Sequence, residues 1–225
     1  MRFSLARMIA VAILAAHCIF TVYGCESFSL MCETTPESRH GSREPDIDMD
    51  ANTPLTDRFS AIRAFAFDMD GVLTDGGLWL SESGEWIRRM HIRDGYALQL
   101  AVRMGYPVAV VSGSASKPVA GRLKKLGVTD IHMGVDDKAA CLGMLMSAWG
   151  LPHEAVLFMG DDVPDLPALA AAGLGCCPND ACRDVRETAA YVSSFRGGEG
   201  CVRDVIERVM RCRGDWHAMG DIRSA

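Results

Sequence analysis

The chain has 225 residues, 49% of them apolar, with 23 basic against 29 acidic side chains and a formal charge of −6. That length can bury a sizeable core and fits one α/β domain with tails. The net negative charge argues against nucleic acid or an anionic membrane surface as the main partner, while small phosphorylated molecules stay open.

The first 30 residues carry Arg2 and Arg7 ahead of an apolar run from Met8 to Val22, then Gly24-Cys25, the layout of a secretory or lipoprotein signal. Residues 31–57 are polar, acidic and without periodicity. Residues 1–57 are therefore expected to be a disordered extension, either exported or explained by a true start at Met49. Nine cysteines with no regular spacing read as small buried hydrophobes in a reducing, cytoplasmic setting rather than a disulfide framework. The folded domain is expected over 58–213, with 214–225 as a tail.

Ile62 to Phe67 is an apolar run that stops at Asp68-Met69-Asp70-Gly71, the pattern of a buried parallel strand ending in a polar turn. Asp68 and Asp70 share a strand face by spacing, but a turn at Gly71 would swing the second carboxylate away, so the two can take different chemical tasks. A carboxylate that closes an apolar strand with no base beside it needs a cation or a partner. Next, Leu78–Glu82 and Glu85–Met90 flank Ser83-Gly84 and predict a small β-hairpin. Trp79 and Trp86 on it are read either as cross-strand packing or as an oligomer contact.

Ala97, Leu98, Ala101, Val102 and Met104 recur at helical spacing and stop at Gly105. A second buried strand, Pro107–Val111, ends at Ser112-Gly113-Ser114, where hydroxyls and a flexible glycine ahead of a helix over Lys117–Leu126 could either cap that helix or hold a phosphate. Asp130–Met133 is a third strand. Asp137-Lys138 opens a helix to about Trp149, and a lysine there opposes the macrodipole unless an anion balances it. Ala155–Met159 is a fourth strand, closed by Gly160-Asp161-Asp162-Val163-Pro164-Asp165. Three carboxylates at a strand's carboxyl end suit a hard cation. Short strands at Gly173–Cys176 and Ala190–Val192 and a helix over Cys201–Cys212 complete a doubly wound parallel sheet, whose site lies along its carboxyl edges.

Asp68-x-Asp70-Gly71-x-x-Thr74, Ser112-Gly113, Lys138 and Gly160-Asp161-Asp162-x-x-Asp165 resemble, in order and residue type, the four motifs of the haloacid dehalogenase-like phosphohydrolases. The resemblance implies a Rossmann-like α/β fold with Asp68 as nucleophile and Asp70 as acid and base. It also implies Ser112, Gly113 and Lys138 on the phosphoryl group, and Mg²⁺ held by Asp68, the Asp70 carbonyl and Asp161, with Asp162 and Asp165 behind them.

The hairpin in place of a cap, His91-Ile92-Arg93-Asp94-Gly95-Tyr96 and Arg196-Gly197-Gly198-Glu199-Gly200 are similar to the capless subgroup that dephosphorylates 3-deoxy-D-manno-octulosonate 8-phosphate or related nonulosonate 9-phosphates. That likeness implies a homotetramer and substrate contacts from His91, Ile92, Arg93, Asp94, Gly95 and Arg122, with no nucleic-acid or membrane partner for the core. Ser114, Gln99 and Glu199 depart from the subgroup's pattern by removing positive charge, which leaves the eight- and nine-carbon substrates both open. A non-catalytic tetramerisation domain, like that of sialic acid activating enzymes, is the alternative of another class.

Overall fold

The computed structural model describes residues 53–217. The signal-like segment and the start at Met49 lie outside the described residues. Strands β1 (Ala64–Phe67), β4 (Val108–Ser112), β5 (Asp130–Met133), β6 (Val156–Met159), β7 (Leu174–Cys177) and β8 (Tyr191–Val192) form one sheet of order β5-β4-β1-β6-β7-β8. Every pairing in it is parallel.

Strand alternation splits the interior into two cores. Phe65, Phe67, Val110, Leu157 and Met159 face helices α1 (Leu55–Ala61), α2 (Ile92–Arg103), α3 (Lys117–Lys125) and α7 (Cys201–Cys212). Ala66, Ala109, Val111 and Phe158 face α4 (Lys138–Trp149), α5 (Leu166–Ala171) and α6 (Arg183–Thr188). All four β1 residues are buried, as a strand covered on both faces requires. Truncating Phe67, which is fully buried, would cost about 3–5 kcal/mol.

Packed residues extend slightly to either side of residues 58–213. Helix α1 begins at Leu55, buries Phe59 and is tied down by Arg58, whose Nη2 donates to the Gly173 carbonyl at 2.7 Å. At the other end Tyr106 hydrogen-bonds Asp215, and Arg213 Nε donates to Tyr106 Oη at 2.7 Å. Trp216 lies under the Arg203 guanidinium, 5.2 Å from ring centre to Cζ. Asp215 and Trp216 thus pack on the domain.

The predicted hairpin is present as β2 (Trp79–Leu80) and β3 (Trp86–Ile87), with Trp79 opposite Ile87 and Leu80 opposite Trp86. The two tryptophans are therefore diagonal rather than facing, and they are 72% and 61% exposed. Cys141, Cys176, Cys177 and Cys201 are buried thiols, Cys182 is half-buried and Cys212 is exposed, and none of these six is in a disulfide. Among the described residues no helix is long and apolar enough to cross a membrane.

Candidate active site

β1 sits between β4 and β6, so the segments leaving those three strands converge at one edge of the sheet. Asp68 follows β1, Ser112 ends β4 and Asp161 follows β6. These residues, with Asp70, Lys138 and Asp165, line a cavity of about 360 Å³. The four motifs, far apart in the chain, meet in one place.

Lys138, the first residue of α4, is buried, with its Nζ 2.8 Å from Asp68 Oδ1 and 2.6 Å from Asp165 Oδ1. This pairing explains a lysine at a helix start: the two carboxylates outweigh the unfavourable macrodipole and the cost of burial, and raise the ammonium's pKa. Asp137 caps the same helix by accepting from Ala140 N at 2.9 Å. Burial, reinforced by the Asp165 charge and opposed by Lys138, pushes the Asp68 carboxyl up to about 6. Burial together with Asp68, Asp165 and Asp162 pushes Asp161 to about 7. One lysine does not neutralise this group, and the remaining negative charge calls for a cation.

Asp68, Asp161 and Asp165 each offer a carboxylate oxygen within 4.8 Å of the other two, an all-oxygen set suited to Mg²⁺. Asp165 is also occupied elsewhere: its Oδ2 accepts from Asp161 N at 3.0 Å and Asp162 N at 3.3 Å, while Oδ1 holds Lys138. Its carboxylate shapes the loop that presents Asp161. Asp162 is exposed and accepts from Val163 N at 2.8 Å.

Asp70 lies on a tight turn over Met69–Leu73. Gly71 has φ +83°, and a Cβ there would overlap the Asp161 carboxylate, so only glycine brings the two loops together. The Asp70 carboxylate meets two groups that the sequence did not assign to it. Arg88, just past β3, donates from Nε to Oδ1 at 2.7 Å and from Nη2 to Oδ2 at 3.0 Å. Ser114 Oγ donates to Oδ2 at 2.6 Å. Burial works to raise the Asp70 pKa, but the hydrogen bonds from Arg88 and Ser114 and the Arg88 charge bring it below the usual value. Ser112, fully buried, accepts from Ser114 N at 3.2 Å, which fixes the turn beside the cavity.

The residues implied as substrate contacts fall outside this cavity. Asp94 is buried, and its carboxylate accepts from Gly200 N at 3.2 Å and Arg203 N at 2.8 Å, capping α7 from across the domain. His91 Nδ1 stands 3.9 Å from Asp94 Oδ2, and Gly95 packs beside the Arg122 guanidinium. Ile92 and Arg122 line a separate groove under the hairpin. Arg93 is exposed beside the start of α7. The Asp94 cap carries the loop before α7 onto the catalytic turn. Gly198 N donates to the Val72 carbonyl at 2.9 Å, and a Cβ on Gly197 would overlap the Gly71 carbonyl.

A doubly wound sheet with a buried, lysine-paired carboxylate at the end of its central strand, an acidic loop beside it and a hairpin for a cap defines a haloacid dehalogenase-like hydrolase. The profile of the haloacid dehalogenase-like hydrolases matches residues 91–173. The chain is 31% identical over 153 residues to the 3-deoxy-D-manno-octulosonate 8-phosphate phosphatase of Yersinia pestis, covering 68% of this chain and 82% of that one. Among solved structures, the same phosphatase from Moraxella catarrhalis, in complex with a magnesium ion, a phosphate ion and a KDO molecule, superposes with a TM-score of 0.69 at 32% identity. It covers 72% of this chain and 92% of that one. The cobalt-bound phosphatase from Haemophilus influenzae gives 0.67 at 33% identity, over 70% and 92% of the two chains. The chain belongs to the haloacid dehalogenase-like hydrolases, in their capless phosphatase branch, and is a phosphatase.

Proposed function

We propose that the protein is a Mg²⁺-dependent phosphatase of a phosphorylated 3-deoxy-2-keto sugar acid, releasing phosphate from 3-deoxy-D-manno-octulosonate 8-phosphate. One observation carries the reading: Asp68, Asp70, Lys138 and Asp161 line a single cavity of about 360 Å³, in a chain 31% identical to a phosphatase of that name.

Asp68, Asp161 and the Asp70 carbonyl would hold the metal, with Asp165 keeping Asp161 in place. Bound there, Mg²⁺ supplies the positive charge that lets a carboxylate approach an anionic phosphate. An Asp68 oxygen attacks phosphorus, the bond from phosphorus to the ester oxygen breaks, and Asp70, which must first leave the Arg88 guanidinium and take up a proton from solvent, passes that proton to the departing alkoxide. Asp70 then takes a proton from water, whose oxygen attacks the aspartyl phosphate, releasing phosphate and restoring Asp68. Lys138 and Ser112, with the Gly113 amide, serve the equatorial oxygens. Because Lys138 already sits at the nucleophile, its charge is in place before reaction and needs no reorganisation.

Leu78, Trp79, Leu80, Trp86 and Ile87 are all exposed on the hairpin, which supports a homotetramer assembled through these hairpins. The buried thiols of the interior support a cytoplasmic location, and the packing of α1 and α7 supports one folded domain over about residues 58–213. The nine-carbon alternative draws on Glu199, which pairs with Arg89 at 3.1 Å and places an acid where the octulosonate subgroup has a base. Parallel turnover of the eight- and nine-carbon phosphates with Mg²⁺ and with chelator tests the proposal. Faster release from the eight-carbon substrate is expected, and release from neither would defeat it. A non-catalytic tetramerisation role is excluded if Asp68→Asn abolishes release while leaving the oligomer mass unchanged.

A further inference from the structure

Arg88 stands between two cavities. On one side its guanidinium grips both oxygens of Asp70 and reaches Ser114 Oγ at 3.3 Å. On the other it forms part of the wall of a groove of about 890 Å³ between the hairpin and α3, which Lys117 and Arg122 also line. Three bases and one acid, Glu85, face that groove among apolar walls from Trp86, Ile87 and Ile92. The Arg88 side chain is only 5% exposed, so its fork is held in place by its partners. Its partner carboxylate is the group that must reach the ester oxygen, yet both Asp70 oxygens are taken, Oδ1 by Arg88 and more weakly by Thr74, and Oδ2 by Arg88 and Ser114.

We infer that Arg88 is the specificity-determining residue of this phosphatase: it exchanges Asp70 for the carboxylate of a sugar-acid substrate lying in the adjoining groove, and so frees Asp70 for the ester oxygen. The exchange replaces one bidentate guanidinium–carboxylate pair with another, so a substrate bearing an acid makes it at small net cost. A neutral sugar phosphate has nothing to offer Arg88 and leaves Asp70 engaged. Selection then acts on the rate of ester cleavage as well as on binding, because the acid end of the substrate is spent on releasing a group at the reacting end. The groove's bases give the charge complementarity that an anionic leaving group needs. The inference rests on the phosphatase reading above and adds the part of the substrate that is recognised and the residue that recognises it.

The test uses a matched pair of equal chain length, 6-phosphogluconate and sorbitol 6-phosphate, which differ at the end remote from phosphate by a carboxylate against a hydroxymethyl group. The wild-type protein should favour the acid in kcat/KM by about tenfold or more, the worth of a charge-assisted hydrogen-bonded pair. Arg88→Met should lose that preference by slowing on the acid and speeding on the neutral ester, and Arg88→Lys should keep part of it. The ratio is read on one preparation, so a partly unfolded variant does not alter it. A wild-type protein with no preference, an Arg88→Met protein that keeps it, or equal losses on both esters would overturn the inference. Turnover of the octulosonate phosphate is read separately. Its absence alongside an intact Arg88-dependent preference would defeat the proposed substrate and leave the role of Arg88 standing.

Discussion

Lys138 Nζ lies 2.8 Å from the carboxylate of Asp68, although one residue opens a helix and the other closes a strand on the far side of two crossovers. The same ammonium touches Asp165 at 2.6 Å, so Asp68 and the acidic loop share one counter-charge. Removing it by Lys138→Met leaves two buried carboxylates without their shared counter-charge, which should cost about 3–5 kcal/mol of stability. Denaturant unfolding measures this, and a loss well under about 1 kcal/mol would show that the cluster does not depend on the lysine.

Asp68→Asn removes the attacking oxygen's charge while keeping its shape. Phosphate release should fall by at least about a thousandfold, with folding and oligomer mass unchanged, because a member of a set that acts as a unit cannot be lost singly without losing most of the rate. Residual turnover within tenfold of wild type would remove Asp68 as nucleophile.

Asp70→Asn keeps the side-chain oxygen but deletes proton transfer, and should slow ester cleavage by about 10² to 10⁴. The effect should be largest for esters with poor leaving groups and shrink for p-nitrophenyl phosphate, whose phenolate leaves without help. Equal losses on both would assign Asp70 to binding rather than to proton transfer.

Asp68 and Asp161 are held up at about 6 and about 7, against 3.8 for a free carboxyl. The folded chain therefore binds protons more tightly than the unfolded one, and the stability this contributes is present below pH 3.8 and lost as pH rises through 6 to 7. In chelator, thermal unfolding should move to lower temperature between pH 5 and pH 7.5. Added Mg²⁺ should raise it more at the higher pH, where the carboxylates are free to bind. A flat profile, or a larger gain at pH 5, contradicts a shared cation at these two carboxylates.

Gly197→Ala places a methyl group against the Gly71 carbonyl, overpacking worth about 1–3 kcal/mol. Since the displaced backbone belongs to the turn that carries Asp70, kcat should fall along with stability. A variant of wild-type rate would mean that the loop does not brace the turn.

Asp68, Asp161 and Lys138 were legible because each breaks a local rule: two acids stop apolar strands, and a base stands at a helix start. Each break has to be repaired by a partner, and the sheet order supplies it. The parallel sheet was legible because Ala64–Phe67 is an unbroken apolar run, which needs cover on both faces, and because such runs alternate with helices. Arg88 was not, because a charge beside a hairpin reads as solvated, and only the fold-back of β3 brings it to a residue in the first turn. Asp94 matched a substrate motif by resemblance, but its work is to cap a helix from another part of the chain, and such caps leave no local signal. Helices α5 and α6, six residues each, are too short to announce themselves by periodicity and form through packing on Cys177 and its neighbours.

The loop of Gly197 and Gly198 reaches back to the turn that follows the first strand, so chemistry near the start of the domain depends on residues more than a hundred positions further along the chain. A ribosome has to extrude the first turn of α7 before Asp94 can seat the loop and the turn can settle. During synthesis the growing polypeptide is thus spared a half-built hydrolase, and any truncation ahead of α7 should give a protein that is silent rather than indiscriminate.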